Sequence, residues 1–294
     1  MRVSALSPQL VGILSMSAAA FVFSCHDAIT KYLAGHYPLG EIIFVRQLSS
    51  AVLLLIYIRV VHGFDCLRTN TIKGQSLRAF FFVASTILIA LSVTVLPLAT
   101  ALAIVFSSPL LVAALSGPFL AEHVGPRRWM AICAGFVGVL VIIRPTDASF
   151  TWLLIIPVVA ACASASRDIV TRILQRTDST YAILFWSNLA VLFATLLSAP
   201  FGWISIAPLD IAVLIVAGGL NTLAHFLTIT ALRHGDAALV TPFRYTALVW
   251  AAILGFVIWS DIPDQWTTIG AFIIVSAGTY LVFRETRNRS GGGS

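Results

Sequence analysis

Charge is what this sequence has least of. Only 10% of its 294 residues are charged, while 59% are hydrophobic and the mean hydropathy is +0.97. A soluble domain carries about 25% charged residues, so the chain cannot cover a water-facing surface and is expected to be an integral membrane protein. Cysteine is scarce as well. The four (Cys25, Cys66, Cys133, Cys162) form no CxxC, and three lie in apolar runs. That pattern excludes a disulfide framework and a thiolate metal site, and reads as inert buried thiols. A glycine-rich phosphate loop ending in GK[ST] is missing, and no connection is long enough for a soluble domain, so this chain does not hydrolyse ATP. HExxH and Ser/His spacings are also missing. Asp261-Ile-Pro-Asp264 loosely resembles a diphosphate–magnesium motif but stands alone. No enzyme, metal or cofactor is therefore expected.

Basic residues outnumber acidic ones, 18 to 12. They lie between apolar runs rather than in a solvated cluster, which argues for membrane topology and against nucleic acid. Crossing a bilayer takes about 17–25 helical residues. Ten such segments can be laid down, at 8–33, 38–61, 74–95, 98–119, 126–144, 151–174, 180–201, 209–231, 237–258 and 266–284. Spans three and four are separated only by Leu96-Pro97-Leu98, and nine spans is the alternative count.

The distribution of Lys and Arg favours ten, with both termini cytoplasmic. Thirteen cations then fall on the cytoplasmic side: Arg2; Arg59, Arg68, Lys73 and Arg78; Arg127 and Arg128; Arg172 and Arg176; Arg233; Arg284, Arg287 and Arg289. Two, Lys31 and Arg144, fall outside, and Arg46, Arg167 and Arg244 lie within spans. The first apolar run continues to Leu33 and is followed by many more spans, so it reads as a span and not a cleaved signal. Residues 290–294 (SGGGS) look like an appended linker and are set aside.

One stretch returns. Asp27-Ala-Ile-Thr30-Lys31-Tyr-Leu33 is echoed 141 residues later by Asp168-Ile-Val-Thr171-Arg172-Ile-Leu174. Gly117-Pro-Phe-Leu before Glu122 and Trp129 resembles Gly255-Phe-Val-Ile before Asp261 and Trp266, at offsets of 137 to 139. Five spans per copy is an odd number, so the second copy enters the membrane from the opposite side. Such inverted-topology repeats are common in secondary transporters. The expected fold is thus all-α and integral to the membrane: ten transmembrane helices as two inverted-topology five-helix repeats, 8–144 and 151–284, around a central cavity. A cytoplasmic tail, 285–294, follows.

Leu96-Pro-Leu-Ala-Thr-Ala-Leu-Ala, Pro109-Leu, Glu122-His-Val-Gly-Pro-Arg-Arg-Trp129, Gly135-Phe-Val-Gly138 and Arg144-Pro145 together resemble the EamA domain of the drug/metabolite transporter superfamily. Arg46, eight residues after Pro38, fits the same pattern. The resemblance spans essentially the whole chain as two units. It implies a ten-helix exporter of amino acids and related metabolites in a bacterial inner membrane. Exporters of drugs, lipophilic cations or nucleotide sugars are the alternative, and a channel is a further one. Some members carry an arginine in the second span of both halves; here Trp186 stands opposite Arg46.

The polar residues within the spans are the candidates for function, because a charge at mid-bilayer costs at least about 2.5–3.5 kcal/mol. Asp27/Lys31 and Asp168/Arg172 are at i, i+4 with the carboxylate first, which suits local ion pairs or gates. Arg46 joins them as a gating or coupling candidate, or pairs structurally with nearby Glu41. Substrate contacts are expected from His26, Phe106, Ser107, Asn221, His225, Arg244 and Tyr245. A guanidinium offers a fork for a substrate carboxylate. Pro109, Pro157 and Pro242 would free backbone carbonyls inside spans four, six and nine. Span five's Ala131, Ala134, Gly135 and Gly138, with Gly270 and Gly278 on span ten, read as close packing or as homodimer contacts.

Overall fold

The computed structural model describes residues 7–61, 63–120, 125–145, 151–175, 177–234 and 240–290. Outside them lie Arg2, Glu122, Arg176, Ala238 (whose carbonyl Pro242 was to free), the expected start of span nine at 237–239, and the tail's 291–294.

The described residues form helices and no strands. In order they are α1 (Pro8–Leu33), α2 (Leu39–Val61), α3 (Ile72–Val95), α4 (Leu98–Val105), α5 (Ser108–Leu120), α6 (Pro126–Ile143), α7 (Ile155–Leu174), α8 (Thr180–Leu196), α9 (Pro208–His234), α10 (Thr246–Trp259) and α11 (Gln265–Ser290). Eight helical stretches among the described residues are long and apolar enough to cross a membrane, with Leu98–Leu120 counted across its break. Thr180–Leu196 is apolar but shorter. The protein is therefore a multi-pass membrane protein, held by helices that satisfy their own backbone.

Local chemistry sets the boundaries. Ser7 caps α1, accepting from the Leu10 N–H at 3.3 Å, with Pro8 at the first helical position. Ser179 caps α8 through the Ala182 N–H at 3.0 Å. Pro97 cannot continue α3 and begins α4. Span four is broken outright, not merely loosened. Its chain turns at Phe106-Ser107, and the Ser107 hydroxyl donates to Ile104 O (2.7 Å) instead of refilling the Val105 carbonyl. Span nine breaks at the corresponding place, with Thr241–Tyr245 as a tight 3₁₀ turn before α10. Pro157 does not break span six. It lies in the first turn of α7, where its missing N–H has no intrahelical acceptor to lose.

The helices interlock across the two halves of the chain. α1 packs along α9 and α3 along α7; α2 lies against α8 and α9, and α3 also meets α8. α5 rests on α7 as α10 rests on α1, while α6 runs along α11. That last seam is a close approach of backbones. A Cβ on Gly270 would sit 2.5 Å from Gly138 O, and one on Gly138 would sit 2.9 Å from Gly270 O. Gly138 of span five and Gly270 of span ten therefore face each other within one chain, while Gly135 is set against Leu110 and Gly278 against Tyr245. Above them a single buried cluster joins the α3–α4 turn, α5, α6, α10 and α11, including Leu98, Ile104, Leu110, Ile132 and Ile274.

Hydrogen bonds tie the loops of one half to those of the other. Asp178, before α8, accepts from Thr69 Oγ1 (2.5 Å), Asn70 N (3.0 Å) and Gln75 Nε2 (2.8 Å) at the start of α3. At the equivalent place in the other half, the Tyr37 hydroxyl donates to Asp210 (2.6 Å) and accepts from Ala207 N (3.2 Å). Burial pushes the Asp178 carboxyl up, but the donors around it outweigh burial and hold it below its ordinary 3.8. A depressed folded-state value means that its contribution is fully present above the unfolded value and lost as pH falls through the folded one. Asp178→Ala is expected to cost about 2 kcal/mol at pH 7, since it orphans an N–H and an amide. The deficit against wild type should shrink as pH drops below about 4, in melting curves of detergent-solubilised protein.

Candidate substrate cavity

The repeated stretch builds the same device twice. On α1, His26 Nδ1 bonds Asp27 Oδ1 at 3.0 Å. One turn on, Thr30 donates its hydroxyl to His26 O (3.0 Å) and accepts from Arg46 Nη1 of α2 (2.7 Å). On α7, Arg167 bonds Asp168 Oδ1 through Nε at 2.9 Å and Nη2 at 2.8 Å. Thr171 then donates to Arg167 O (2.7 Å) and accepts from Arg78 Nε of α3 (2.7 Å). A threonine whose proton goes to the preceding turn has only lone pairs left to offer, so each calls for a donor. Each receives a guanidinium.

The second guanidinium comes from an unexpected helix. Asp168 and Thr171 each stand 141 positions after Asp27 and Thr30, and Ser187 stands 141 positions after Arg46. Ser187 carries no charge, yet Arg78 donates to its hydroxyl and to Ile183 O (2.9 Å), as well as to Thr171. Arg78 thus fills, from α3, the seat that α8 leaves empty. Its guanidinium lies 5.3 Å from the Phe82 ring centroid, and that of Arg167 lies 5.9 Å from the same ring. Arg78, expected among the exposed cytoplasmic cations, is 4% exposed. Trp186 points elsewhere, its indole N–H donating to Leu67 O at 3.1 Å. Gln47 and Asn188, separated by the same 141 positions, hydrogen-bond each other where α2 crosses α8.

His225 on α9 lies within reach of the charges of Arg167, Arg244, His26 and Arg78. Its ring meets Phe23 edge-on at 5.2 Å. One turn earlier on α9, Asn221 donates to Ser50 (3.4 Å), which bonds Thr222 (3.0 Å). α1, α3, α7, α9 and the 3₁₀ turn that carries exposed Arg244 therefore bring polar side chains to one region of the bundle. His26, Asp27, Arg46, Asp168, His225 and Arg244 are gathered around it.

Other expected site residues lie apart. Lys31 does not pair with Asp27, which is taken by His26. Its ammonium reaches Asp261 Oδ2 (3.1 Å) and Leu96 O (2.9 Å), 4.8 Å from the Trp259 ring centroid. Asp264 is held by Arg144 at 2.5 Å, so both carboxylates of that loop serve as counter-ions. Asp168 is held by the neighbouring Arg167. Glu41 does not hold Arg46; it accepts from Ile204 N at 3.2 Å. Ser107 bonds its own helix, and Phe106 packs on Tyr245 with centroids 5.7 Å apart. Tyr245 is buried against Gly278, and its hydroxyl finds no partner among the described residues. Tyr245→Phe should therefore be neutral or stabilise by about 1 kcal/mol, because it removes an unsatisfied buried hydroxyl; a lowered melting temperature would contradict this.

Paired charges among the apolar helices of a multi-pass membrane protein mark polar pathways through it. Comparison with known proteins makes the assignment specific. The model of the EamA-like transporter family matches residues 10–144 and again 150–284, and the chain belongs to that family. It is 29% identical over 286 residues to the S-adenosylmethionine uptake transporter of Rickettsia felis, covering 97% of each chain. It is 26% identical to the riboflavin transporter of Rhizobium johnstonii, covering 96% of this chain and 94% of that one. It is also 27% identical to the pseudopaline exporter CntI of Pseudomonas aeruginosa, covering 90% of this chain and 94% of that one. A solved structure with 18% identity superposes with a TM-score of 0.63 over 95% of this chain and 98% of its own, which shows a shared fold.

Proposed function

We propose that this protein is a secondary transporter that exports amino acids and metabolites bearing an amino-acid group, by alternating access between two inverted five-helix halves. The observation that carries it is the pair of base–acid dyads on α1 and α7, set among apolar helices close to His225. Burying such charges is costly in an apolar bundle, and within membrane spans they mark substrate pathways.

The helix contacts support the inverted repeat, with units at 8–144 and 151–284. Exchanging each first-half helix for its second-half counterpart turns the α1–α9 seam into α7–α3, and α2–α9 into α8–α3, while α2–α8 and α6–α11 map onto themselves. Other contacts do not follow the exchange: α5 meets α6 and α4 meets α10 without a comparable pairing among the described residues. α1 packs on α3 beside Lys31 and Leu96, but among the described residues no comparable seam joins α7 to α9. Under the ten-span topology with cytoplasmic termini, this is a carrier latched outside and open towards the cytoplasm. The relatives' names include uptake and export, which fits a carrier whose net direction follows the gradients.

The test is counterflow in liposomes containing the purified protein. The labelled panel would be methionine and other amino acids, S-adenosylmethionine, and riboflavin, each with and without an imposed pH gradient. Saturable exchange of the amino-acid-bearing members is expected. Carriage of riboflavin alone would favour the second reading, a carrier of neutral aromatic metabolites, for which one relative's name and the rings of Phe23 and Phe82 speak. Steady single-channel currents would sink the carrier assignment.

A further inference from the structure

We propose that the Arg167–Asp168 dyad on α7 is the receptor for the substrate's amino-acid head, with Arg167 taking the carboxylate and Asp168 the ammonium. This rests on the carrier reading and names the group by which cargo is recognised.

The two repeated dyads differ in access. The side chains of Arg167 and Asp168 are 21% and 39% exposed, against 8% and 18% for His26 and Asp27. The α7 dyad is thus the more accessible of the two. Its internal bonds are also lopsided. Nε and Nη2 of Arg167 both go to Oδ1 of Asp168. Among the described residues, Nη1 of Arg167 and Oδ2 of Asp168 have no hydrogen bond assigned. Both groups are therefore open to further partners, and an ammonium–carboxylate head offers one of each kind.

Charge balance points the same way. Arg78 and Arg167 share the face of Phe82, and the adjacent carboxylate is that of Asp168. Two guanidiniums against one carboxylate leave a net positive charge in a low-dielectric bundle, with His225 and Arg244 beside it. An uncompensated buried charge is costly, and a bound carboxylate relieves it. Arg78 is the positioning residue. Fixed by Thr171, Ile183 and Ser187, it holds α7 against α3 and α8.

The experiment uses the full-length protein in liposomes. Labelled S-adenosylmethionine, decarboxylated S-adenosylmethionine and riboflavin are the probes, and wild type is compared with Arg167→Gln and Arg167→Lys. Wild type should carry S-adenosylmethionine about tenfold or more faster than its decarboxylated form, the expected size for loss of a charge-assisted bond. Arg167→Gln should abolish that preference by slowing the intact probe alone, and Arg167→Lys should restore part of it. Equal carriage of both forms by wild type overturns the assignment, and that comparison decides alone if the glutamine variant does not fold. Equal slowing of both forms by Arg167→Gln also overturns it, because a merely structural residue would behave so. Carriage of riboflavin alone overturns the dyad's role and leaves the carrier standing, whereas carriage of none of the probes removes both.

Discussion

Gly270→Leu will separate α6 from α11 and cost about 3 kcal/mol or prevent folding altogether. The reason is geometric. Even the first added carbon would lie 2.5 Å from Gly138 O and 2.5 Å from Ile142 Cγ1. One of these is backbone and cannot step aside as a flexible side chain would. The α6–α11 seam also anchors the largest buried cluster, so a shift there spreads to Leu98 and Ile104 on α4. Gly219→Ala is the control. Its nearest neighbour would be Leu53 Cδ1 at 3.8 Å, so alanine should fit and gain up to about 1 kcal/mol of helix propensity. Thermal unfolding in detergent measures both. Equal stability of the two variants would refute the close approach.

Asp261→Ala is expected to open the latched end. Lys31 is 11% exposed, and without Asp261 its ammonium keeps only Leu96 O and the face of Trp259. A hydrogen bond to a charged group contributes about 1.5–3 kcal/mol. If the latched arrangement alone makes this bond, its loss moves the closed-to-open ratio about tenfold to a hundredfold. Spin labels at Tyr32 and Ile262, both on the surface, would show a longer distance population in Asp261→Ala than in wild type. Exchanging the charges, Lys31→Asp with Asp261→Lys, should restore much of the short-distance population. An unchanged distance distribution in Asp261→Ala would mean that α1 is held by its packing on α3 and α10 and not by this ion pair.

Much of the architecture was legible in the chain. Scarcity of charge and the spacing of apolar runs located the helices, and prolines marked breaks after Leu96 and around Pro109 and Pro242. Asp27–Thr30 and Asp168–Thr171 identified the stretch on which the cavity is built, because a polar group in an apolar run is conspicuous. The partners of those groups were not legible. Lys31 was assigned to Asp27 on local spacing, but a lysine's long arm reached 230 positions along the chain to Asp261. Arg78 was counted by its distance from a helix end, yet it is buried because α3 lies sideways along α7 and α8. Arg167 occupies the place of His26 in the repeat, 141 positions on, so its role beside Asp168 is written in the repeat and not in its being one more cation within a span.

The sequence by itself determined that this is a membrane protein of repeated helical units, because hydropathy and periodicity are properties of single segments that survive in one dimension. It also determined which polar positions had to be explained, since each costs free energy wherever its helix finally lies. Only the tertiary structure decided which cation meets which carboxylate and which dyad is the more accessible. Those outcomes depend on the distances between helices far apart in the chain, and an ion pair falls off so steeply with distance and solvent exposure that spacing along one helix cannot stand in for it.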